Sequence, residues 1–388
     1  MIKTISFVTA GLHFNGATIY EKALGGSESA VIYMARELHR LGNEVTVYCR
    51  CKDQGIFDGV DYRDISYFMH DDKAQPDVCI VSRYTEFLQY PIDSKMNFLW
   101  LHDVYTPKFM EALGICDNAI VLSEYHKSLY KDQNGITSDV PFFQTTNGFD
   151  SDIAELNVDY DKKKNDYIYA SRPERGLELL LERIWPEVVK NNPEARLHLC
   201  GYDNYLPANP EDKAVQDRVS LLVKNAKNII HHGELAKPQY YKLLQSCAYM
   251  LYPTDFPEIS CINAIEAQAN GCLVITSDQY ALKETVKSKT RIKAKYGSDE
   301  YVDTFLSLIK HFSHAKWVDE VKAAYGSIQT YGWNVVAYDW NAHIDECFAN
   351  RFDKYSTFIG AQLVYNSDLV AAYECFKKSK NKRDDRIE

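Results

Sequence analysis

The chain has 388 residues and a formal net charge of −10, with 46% hydrophobic and 25% charged residues. That length is enough for two domains with separate cores. The acidic balance argues against a nucleic acid as the main partner, and no apolar run approaches the eighteen residues that a membrane-spanning helix needs.

The first predicted unit is a Rossmann-type succession of strand, loop, helix and strand. Residues 5–9 form the first strand, 10–24 a loop, 29–41 a helix that ends at Gly42, and 44–48 the second strand. The unit lacks the G-x-G-x-x-G pattern of dinucleotide-binding proteins. We therefore expect an open α/β sheet without a bound dinucleotide.

Gly25 and Gly26 precede the predicted helix. Two glycines at a helix start allow backbone N–H groups to approach a phosphate or an acceptor closely. The same pair is also common in ordinary turns, so both interpretations stay open at this point.

His102 follows one of the later predicted strands. Residues 51–76 are polar and predicted to be irregular, and strand character returns at 78–81, 98–101, 118–122 and 142–146. A histidine just past the carboxyl end of a buried strand lies where open α/β sheets place ligand groups. The alternative is a structural histidine that is hydrogen-bonded to a loop.

Residues 151–164 are charged and are predicted to link two domains. Two pairs of residues match the D-x-D pattern of metal-dependent glycosyltransferases: Asp150 with Asp152, and Asp159 with Asp161. That pattern requires a strand end within a nucleotide-binding domain, which a charged connector does not supply. We therefore expect no metal site and no other cofactor.

Arg172 and Arg175 straddle a predicted turn from a strand at 166–170 to a helix at 177–191. Fixed guanidinium groups together with the free N–H groups of a helix start form an anion site. Solvent-facing arginines are the alternative, but cations at a helix start oppose its dipole. Alternating strands and helices then continue, and Gly233 and Glu234 end the strand at 228–232.

Two acids flank the start of a short apolar helix in the second half of the chain. Glu258 precedes the helix and Glu266 lies within it, with Ser260 as the expected N-cap and Gly271 as the stop signal. Eight residues of helix span at most roughly 12 Å, which is about the distance from the sugar of a nucleotide-sugar to its ribose. Glu258 could instead only stabilise the helix dipole, whereas Glu266 needs a partner in so apolar a helix.

The segment from Glu258 to Glu266 resembles the E-x7-E region of retaining GT-B glycosyltransferases of family 4. In that family the first acid binds hydroxyls of the donor sugar and the second binds the ribose. Here Ile259, Ser260 and Cys261 follow the first acid, where the family usually has Gly, Phe or Ser and then Gly. The resemblance implies that Ile259 and Ser260 lie at the donor, and it leaves the donor sugar undetermined.

The resemblance also covers the motif Asn147-Gly148-Phe149-Asp150, which is similar to the N-G-x-D that closes the family's first domain. It implies that Gly25 and Gly26 contact donor phosphate and acceptor, and that His102 lies against the donor sugar. Arg172 matches the family's arginine at the diphosphate, and Arg175 takes the place of its lysine. The nucleobase is implied near Gly233 and Glu234.

The implied fold is α/β of the GT-B type, with two Rossmann-like domains that face each other across a cleft. Residues 1–150 would bind the acceptor, completed by a final helix at 335–388 that crosses back, and residues 151–334 would bind the nucleotide-sugar. The implied reaction is metal-independent, retaining transfer of a hexose-type sugar from a UDP- or GDP-sugar to a glycan, lipid-linked or other hydroxyl acceptor.

Two alternatives remain at this stage: a sugar-nucleotide epimerase of the same architecture, and a non-catalytic nucleotide-sugar-binding protein. Scattered cysteines without a Cys-x-x-Cys pair favour reduced thiols, and the N-terminus leads directly into a strand, so we expect a cytoplasmic protein. The basic run at 377–383 is either solvated or in peripheral contact with an anionic membrane, and the oligomeric state is undetermined.

Overall fold

The structure is a computed structural model. It describes residues 2–68, 70, 75–89, 93–137, 140–154, 158–160, 165–201, 209–310 and 313–365, with side chains up to residue 350. Two mainly parallel sheets with flanking helices make up most of it. The structure divides into two compact units between Val336 and Ala337, and both sheets lie in the first unit.

The first sheet contains eight of the described strands: β1 (Thr4–Val8), β2 (Glu44–Cys49), β3 (Gly55–Phe57), β4 (Val60–Asp64), β5 (Val78–Ser82), β6 (Met96–Trp100), β7 (Asn118–Val121) and β8 (Phe142–Gln144). Their order across the sheet is β3-β4-β2-β1-β5-β6-β7-β8. The helices of this half are α1 (Thr18–Glu21), α2 (Gly26–Arg40), α3 (Phe109–Leu113) and α4 (Glu124–Gln133). Strand β5 is buried along its whole length, as expected where helices cover both faces of a parallel sheet.

The second sheet contains six of the described strands: β9 (Asp166–Tyr169), β10 (Arg196–Cys200), β11 (Ile229–Gly233), β12 (Tyr249–Tyr252), β13 (Leu273–Ser277) and β14 (Arg291–Ile292). Their order is β11-β10-β9-β12-β13-β14, and every neighbouring pair is parallel. The helices are α5 (Leu177–Leu179), α6 (Trp185–Asn191), α7 (Pro210–Asn225), α8 (Lys237–Ser246), α9 (Ile262–Ala269), α10 (Leu282–Thr285), α11 (Asp299–Lys310), α12 (His314–Ile328) and α13 (Trp333–Tyr365).

Three of the predicted elements differ from the structure. The segment predicted to be irregular contains the antiparallel hairpin β3–β4, whose turn residues Asp58 and Gly59 both have positive φ, as a two-residue hairpin turn requires. Helix α2 begins at Gly26 rather than at residue 29. The helix predicted at 177–191 has a wide π turn at Leu180–Ile184, which accommodates Pro186 because proline has no N–H to donate.

The first turn of α13 contacts the first sheet's helix α2. Trp333 stacks on Tyr33 with ring centroids 5.9 Å apart. Gly148 of the Asn-Gly-x-Asp motif makes room for this contact, since a Cβ there would lie 2.8 Å from the Trp333 ring and 2.7 Å from the Tyr331 carbonyl oxygen. The prediction that residues 335–388 complete the first domain stays a prediction, and the basic run at 377–383 lies outside the described residues.

A carboxylate from the second half of the chain caps a helix of the first half. Glu284 of α10 accepts hydrogen bonds from the backbone N–H groups of Glu124 (2.9 Å) and Tyr125 (3.0 Å), the first residues of α4. The rings of Tyr125 and Tyr280 are 5.2 Å apart beside this contact. Within the described helices, none combines the length and apolarity needed to cross a bilayer.

Candidate active site

A cleft of about 1330 Å³ lies between the two sheets. Its walls are formed by the loops and helix starts that follow the carboxyl ends of strands in both sheets. This is the place where open α/β sheets bind ligands. The cleft brings together His102 from the first sheet and Arg172, Arg175 and Glu258 from the second.

Arg175 and Glu258 form an ion pair in the cleft wall. Nη1 of Arg175 is 3.2 Å from Oε1 of Glu258, and the Tyr252 hydroxyl donates to the same oxygen at 2.6 Å. The guanidinium group also lies 3.7 Å from the centre of the Phe256 ring. These contacts fix both charged groups, since Glu258 is buried and Arg175 is held from two sides.

Gly176 allows the turn that carries Arg172 and Arg175 to lie against the loop that carries Glu258. It has φ = +112°, and a Cβ at this position would lie 1.6 Å from the carbonyl oxygen of Pro253. No other residue type fits so close to another backbone. The Arg-Gly sequence therefore places Arg175 directly against the loop that carries Glu258.

Arg172 lies on the same wall and keeps 37% of its side chain exposed. Its Nη1 lies 4.0 Å from Oε1 of Glu174. The Tyr169 hydroxyl donates to its backbone carbonyl at 2.7 Å, which fixes the turn. A guanidinium group that is held at its backbone and open to the cleft suits a phosphate ligand.

Glu266 is completely buried. Its Oε1 accepts from the Lys237 ammonium group and from the Tyr241 hydroxyl (3.1 Å), whereas Oε2 has no hydrogen-bond partner among the residues that the structure describes. Burial raises the pKa of this carboxyl, and the Lys237 charge opposes the shift. Glu266 itself does not line the cleft, but Lys237 does.

His102 lies just past β6, with its ring centroid 4.4 Å from that of Trp100. Its Nε2 atom is buried and has no hydrogen-bond partner in the described part of the chain. Burial lowers the pKa of His102 well below its usual value, with further lowering from the Arg83 and His126 charges. His102 is therefore a neutral imidazole at pH 7, able to donate or accept a hydrogen bond at the cleft.

His126 forms hydrogen bonds behind this wall, and its burial makes the free energy of unfolding depend on pH. Its Nδ1 accepts from the Leu122 N–H and its Nε2 donates to the Asp103 carbonyl (both 3.1 Å), and burial lowers its pKa to about 4. The unfolded chain, with a histidine pKa of about 6.5, binds the proton first as the pH falls. The free energy of unfolding should therefore decrease between pH 6.5 and 4, by at most about 1.4 kcal/mol per pH unit from this group.

Denaturant unfolding at pH 7, 6, 5 and 4 would test this. The variant His126→Gln should show a flatter profile than the wild type, whereas the exposed His314→Gln should not. Parallel profiles for wild type and His126→Gln would contradict the assignment.

The prediction that Ser260 is the N-cap of the helix after Glu258 is wrong. The N-cap of α9 is Cys261, and no side chain caps this helix. Ser260 instead joins the two halves of the chain: its Oγ accepts from the Asn147 N–H at 3.1 Å, and its carbonyl accepts from Nδ2 of Asn147 at 2.9 Å. Ser260 and Ile259 both line the cleft.

The two glycine sites predicted from the sequence also lie at this cleft. Gly25 is the N-cap of α2, and a Cβ on Gly26 would lie 3.2 Å from Ile262 at the start of α9, so the two helix starts meet here. Gly233 and Glu234 line a smaller pocket of about 80 Å³ with Lys237.

Sequence reasoning missed several cleft residues. Arg83 and Asp103, which follow β5 and β6, form a bidentate ion pair with distances of 2.8 and 3.0 Å. Arg83 has φ = +70°, an uncommon conformation for a residue with a side chain. Their positions after buried strands were a usable signal. Lys237 and Phe256 had no comparable signal, since their partners Glu266 and Arg175 are distant along the chain.

The aspartates of the first D-x-D pattern bind arginines of α2. Asp150 is completely buried and pairs with Arg36 at 2.8 Å, and Asp152 pairs with Arg40 at 2.8 Å. Within the described part of the chain, no group of three or more His, Cys, Asp or Glu side chains could hold a metal ion.

Residues 150–322 match the family model of glycosyl transferases group 1. No curated protein sequence matches this chain. Among solved structures, sucrose-phosphate synthase from Thermosynechococcus elongatus is 14% identical, has a TM-score of 0.65, and the match covers 89% of this chain and 99% of that one. Trehalose-6-phosphate synthase OtsA is 9% identical, with a TM-score of 0.67 and coverages of 88% and 98%.

The structure of HepE from Anabaena in complex with UDP-glucose is 13% identical, with a TM-score of 0.65 and coverages of 90% and 100%. The fold is GT-B. The predicted fold class is thus confirmed. The family match includes all the site residues predicted in the second half of this GT-B chain, among them Arg172, Arg175, Glu258 and Glu266, while His102 lies outside it.

Proposed function

We propose that this GT-B protein is a glycosyltransferase that moves a hexose-type sugar from a UDP- or GDP-sugar to a hydroxyl acceptor. The observation that carries the proposal is the convergence of His102, Arg172 and the Arg175–Glu258 pair on one cleft between the two sheets. The match to glycosyl transferases group 1 and the UDP-glucose complex of HepE support a nucleotide-sugar donor.

In this proposal the two arginines bind the diphosphate of the donor. Arg172 and Arg175 stabilise the negative charge that grows on the leaving diphosphate, so the reaction needs no metal. Glu258 accepts hydrogen bonds from sugar hydroxyls in the orientation that Tyr252 and Arg175 impose. His102, neutral and with its Nε2 available, orients the sugar from the opposite wall.

We further propose that the anomeric configuration is retained through a front-face path. The two buried carboxylates that line the described cleft already accept hydrogen bonds: Glu258 from Tyr252 and Arg175, and Glu28 from Ser27 and the Leu12 N–H. Neither is a good candidate for a covalent nucleophile. The bond from the acceptor oxygen to the anomeric carbon forms on the face from which the diphosphate leaves, and a phosphate oxygen takes the acceptor's proton.

The acceptor would bind the first-sheet wall. Tyr84 and Tyr105 line the cleft there, and Tyr105 is 67% exposed, so an apolar ring face is available to a saccharide. A glycan, a lipid-linked sugar or another hydroxyl compound fits this wall. A cytoplasmic location, with the acceptor at the inner membrane face as one option, remains an expectation from the sequence.

A thermal-shift panel of UDP- and GDP-sugars, with and without EDTA, tests the proposal. One of them should stabilise the protein, by about 2.7 kcal/mol at 100 times its dissociation constant, and EDTA should not change the shift. The bound sugar should then be transferred to a member of an acceptor panel with its anomeric configuration unchanged.

Other results would contradict the proposal. Saturable binding without transfer to any acceptor would favour a non-catalytic binding protein. Turnover of the nucleotide-sugar without any acceptor would favour an epimerase, and loss of transfer with EDTA would contradict metal independence.

A further inference from the structure

Arg83 has a strained backbone at the point where β5 ends. Its φ of +70° lies in the left-handed region, which is unfavourable for a residue with a side chain. The N–H of Arg83 donates to the Trp100 carbonyl of β6 at 3.0 Å, which holds this turn against the neighbouring strand. Strained residues that persist in a fold are frequent at ligand-binding sites, so the side chain that this turn positions is a candidate for a role in the cleft.

The Arg83 guanidinium group is fixed through all three of its nitrogens. Nε donates to Oδ2 of Asp103 at 2.8 Å, Nη2 donates to Oδ1 at 3.0 Å, and Nη1 donates to Oγ of Ser27 at 3.1 Å. The Ser27 hydroxyl donates in turn to Oε2 of Glu28 at 2.9 Å. All four side chains belong to residues that line the cleft. The network therefore forms a polar surface whose geometry is fixed before a ligand binds.

Asp103 is anchored at its backbone and open at its side chain. Its carbonyl oxygen accepts hydrogen bonds from Nε2 of His126 at 3.1 Å and from the Tyr130 hydroxyl at 3.0 Å. The side chain is 40% exposed, and each carboxylate oxygen has two lone pairs, of which Arg83 uses one. Two acceptors therefore lie side by side at the cleft surface, suited to a ligand that brings two donors.

The charges around Asp103 favour an uncharged ligand over an anion. Arg83 contributes one positive charge, while Asp103 and the buried Glu28 contribute two negative charges. Two neighbouring hydroxyl groups of a sugar ring can each donate to one of the Asp103 oxygens, whereas a phosphate or carboxylate group is repelled by them. Tyr105, two residues later and largely exposed, offers a ring face on which a sugar can pack.

We propose that Asp103 binds two neighbouring hydroxyl groups of an uncharged acceptor sugar and thereby determines acceptor specificity. Arg83 is the positioning residue that fixes the carboxylate, and Tyr105 packs against the sugar ring. This subsite belongs to the first-sheet wall, whereas the donor diphosphate is proposed to bind Arg172 and Arg175 of the second-sheet wall. The inference rests on the proposed function, because it requires an acceptor that binds in the cleft beside the nucleotide.

A purely structural ion pair between Arg83 and Asp103 is the main competing role. Loss of a structural pair would disturb the loop after β6, so its effect would not depend on which sugar hydroxyls are present. A direct contact with the sugar disappears when the contacted hydroxyl is removed. The test therefore combines one protein change with one ligand change, as in a double-mutant cycle.

The experiment is a saturation-transfer NMR titration of the full chain, saturated with UDP or GDP. The probes are the methyl glycosides of glucose, galactose and mannose, with glucose 6-phosphate as the charged probe. At least one glycoside should bind the wild type, and Asp103→Asn should weaken that binding about tenfold, the usual effect of losing a charge-assisted hydrogen bond. With one monodeoxy form of that glycoside, the wild type and Asp103→Asn should bind equally.

The affinity for UDP and GDP should be the same in the wild type and in Asp103→Asn. Asp132→Asn is the matched control, because Asp132 is an exposed aspartate of α4 in the same half of the chain and does not line the cleft. This variant should bind every nucleotide and every sugar as the wild type does.

A wild type that binds UDP or GDP but no methyl glycoside, or only glucose 6-phosphate among the sugars, would overturn the inference and leave the proposed function intact. A tenfold loss that persists with every monodeoxy form would also overturn it, since Asp103 would then act only through the structure of the loop. If the wild type bound neither UDP nor GDP, the proposed function would fail, and the inference with it.

If Asp103→Asn does not fold, Tyr105→Ala replaces it, because Tyr105 is exposed and its removal leaves the ion pair of Arg83 and Asp103 intact. This variant should weaken binding of the same glycoside several-fold and leave the affinity for UDP and GDP unchanged. An unchanged affinity for the glycoside would count against the inference.

Discussion

Replacing Arg172 by alanine should lower kcat by about 10²–10³-fold and change the dissociation constant of the nucleotide-sugar far less. In the proposed complex the diphosphate charge is shared between Arg172 and Arg175 before the reaction. In the transition state additional negative charge develops on the leaving oxygen, and a cation at the cleft wall stabilises that charge most. The removed interaction therefore belongs mainly to the transition state.

Steady-state kinetics together with equilibrium binding of the donor would measure the two effects separately. Arg218→Ala is a matched control, because Arg218 is a half-exposed arginine of the same sheet's helices, pairs with Glu178, and does not line the cleft. Equal losses in kcat and in donor affinity, or no loss in either, would count against this role of Arg172.

Replacing Asp150 by asparagine should destabilise the fold by about 3–5 kcal/mol. Arg36 is 3% exposed, and Asp150 accepts from both of its terminal nitrogens, at 2.8 and 3.3 Å. Asparagine has nearly the same shape and keeps the backbone N–H that bonds to Tyr241, but it leaves the buried guanidinium without its closest opposite charge. Glu37, at 2.9 Å from Nε, compensates only in part.

Urea unfolding monitored by circular dichroism would measure this loss. Asp152→Asn provides the control, because Asp152 pairs with Arg40 in a contact where both side chains are about half exposed. Such a pair should contribute under about 1 kcal/mol. Similar urea midpoints for the two variants would show that the buried Asp150 pair contributes no more to the free energy of unfolding than the exposed Asp152 pair does.

Much of the fold follows from local patterns in the sequence. Short apolar runs predicted buried strands at residues 78–81 and 98–101, and the structure has β5 and β6 there. The Asp58-Gly59 turn was an overlooked local signal, since this dipeptide is typical of tight hairpins. Similarly, Gly25 has the extended conformation of an N-cap, so α2 starts three residues before the predicted helix.

The candidate site was predictable only where a residue type and its position in a motif coincide. His102, Arg172 and Glu258 line one cleft. For other predicted residues the orienting partners come from remote parts of the chain: Phe256 contacts Arg175, and Lys237 pairs with Glu266. Ser260 illustrates the limit: its sequence context suggests a helix cap, but its hydrogen bonds go to Asn147, 113 residues earlier. Single-sequence patterns contain no information on such pairings.

The Glu284 carboxylate that caps α4 has a consequence for any hinge movement of the chain. Separating the two sheets would break the hydrogen bonds from the amides of Glu124 and Tyr125 to this carboxylate, and both amides would then be exposed to solvent. Deuterium uptake at the Tyr125 amide would therefore measure how often the two halves separate, at a residue that does not line the cleft. A bound donor that holds the two halves together would slow that uptake. The exchange rate therefore measures opening without an activity assay.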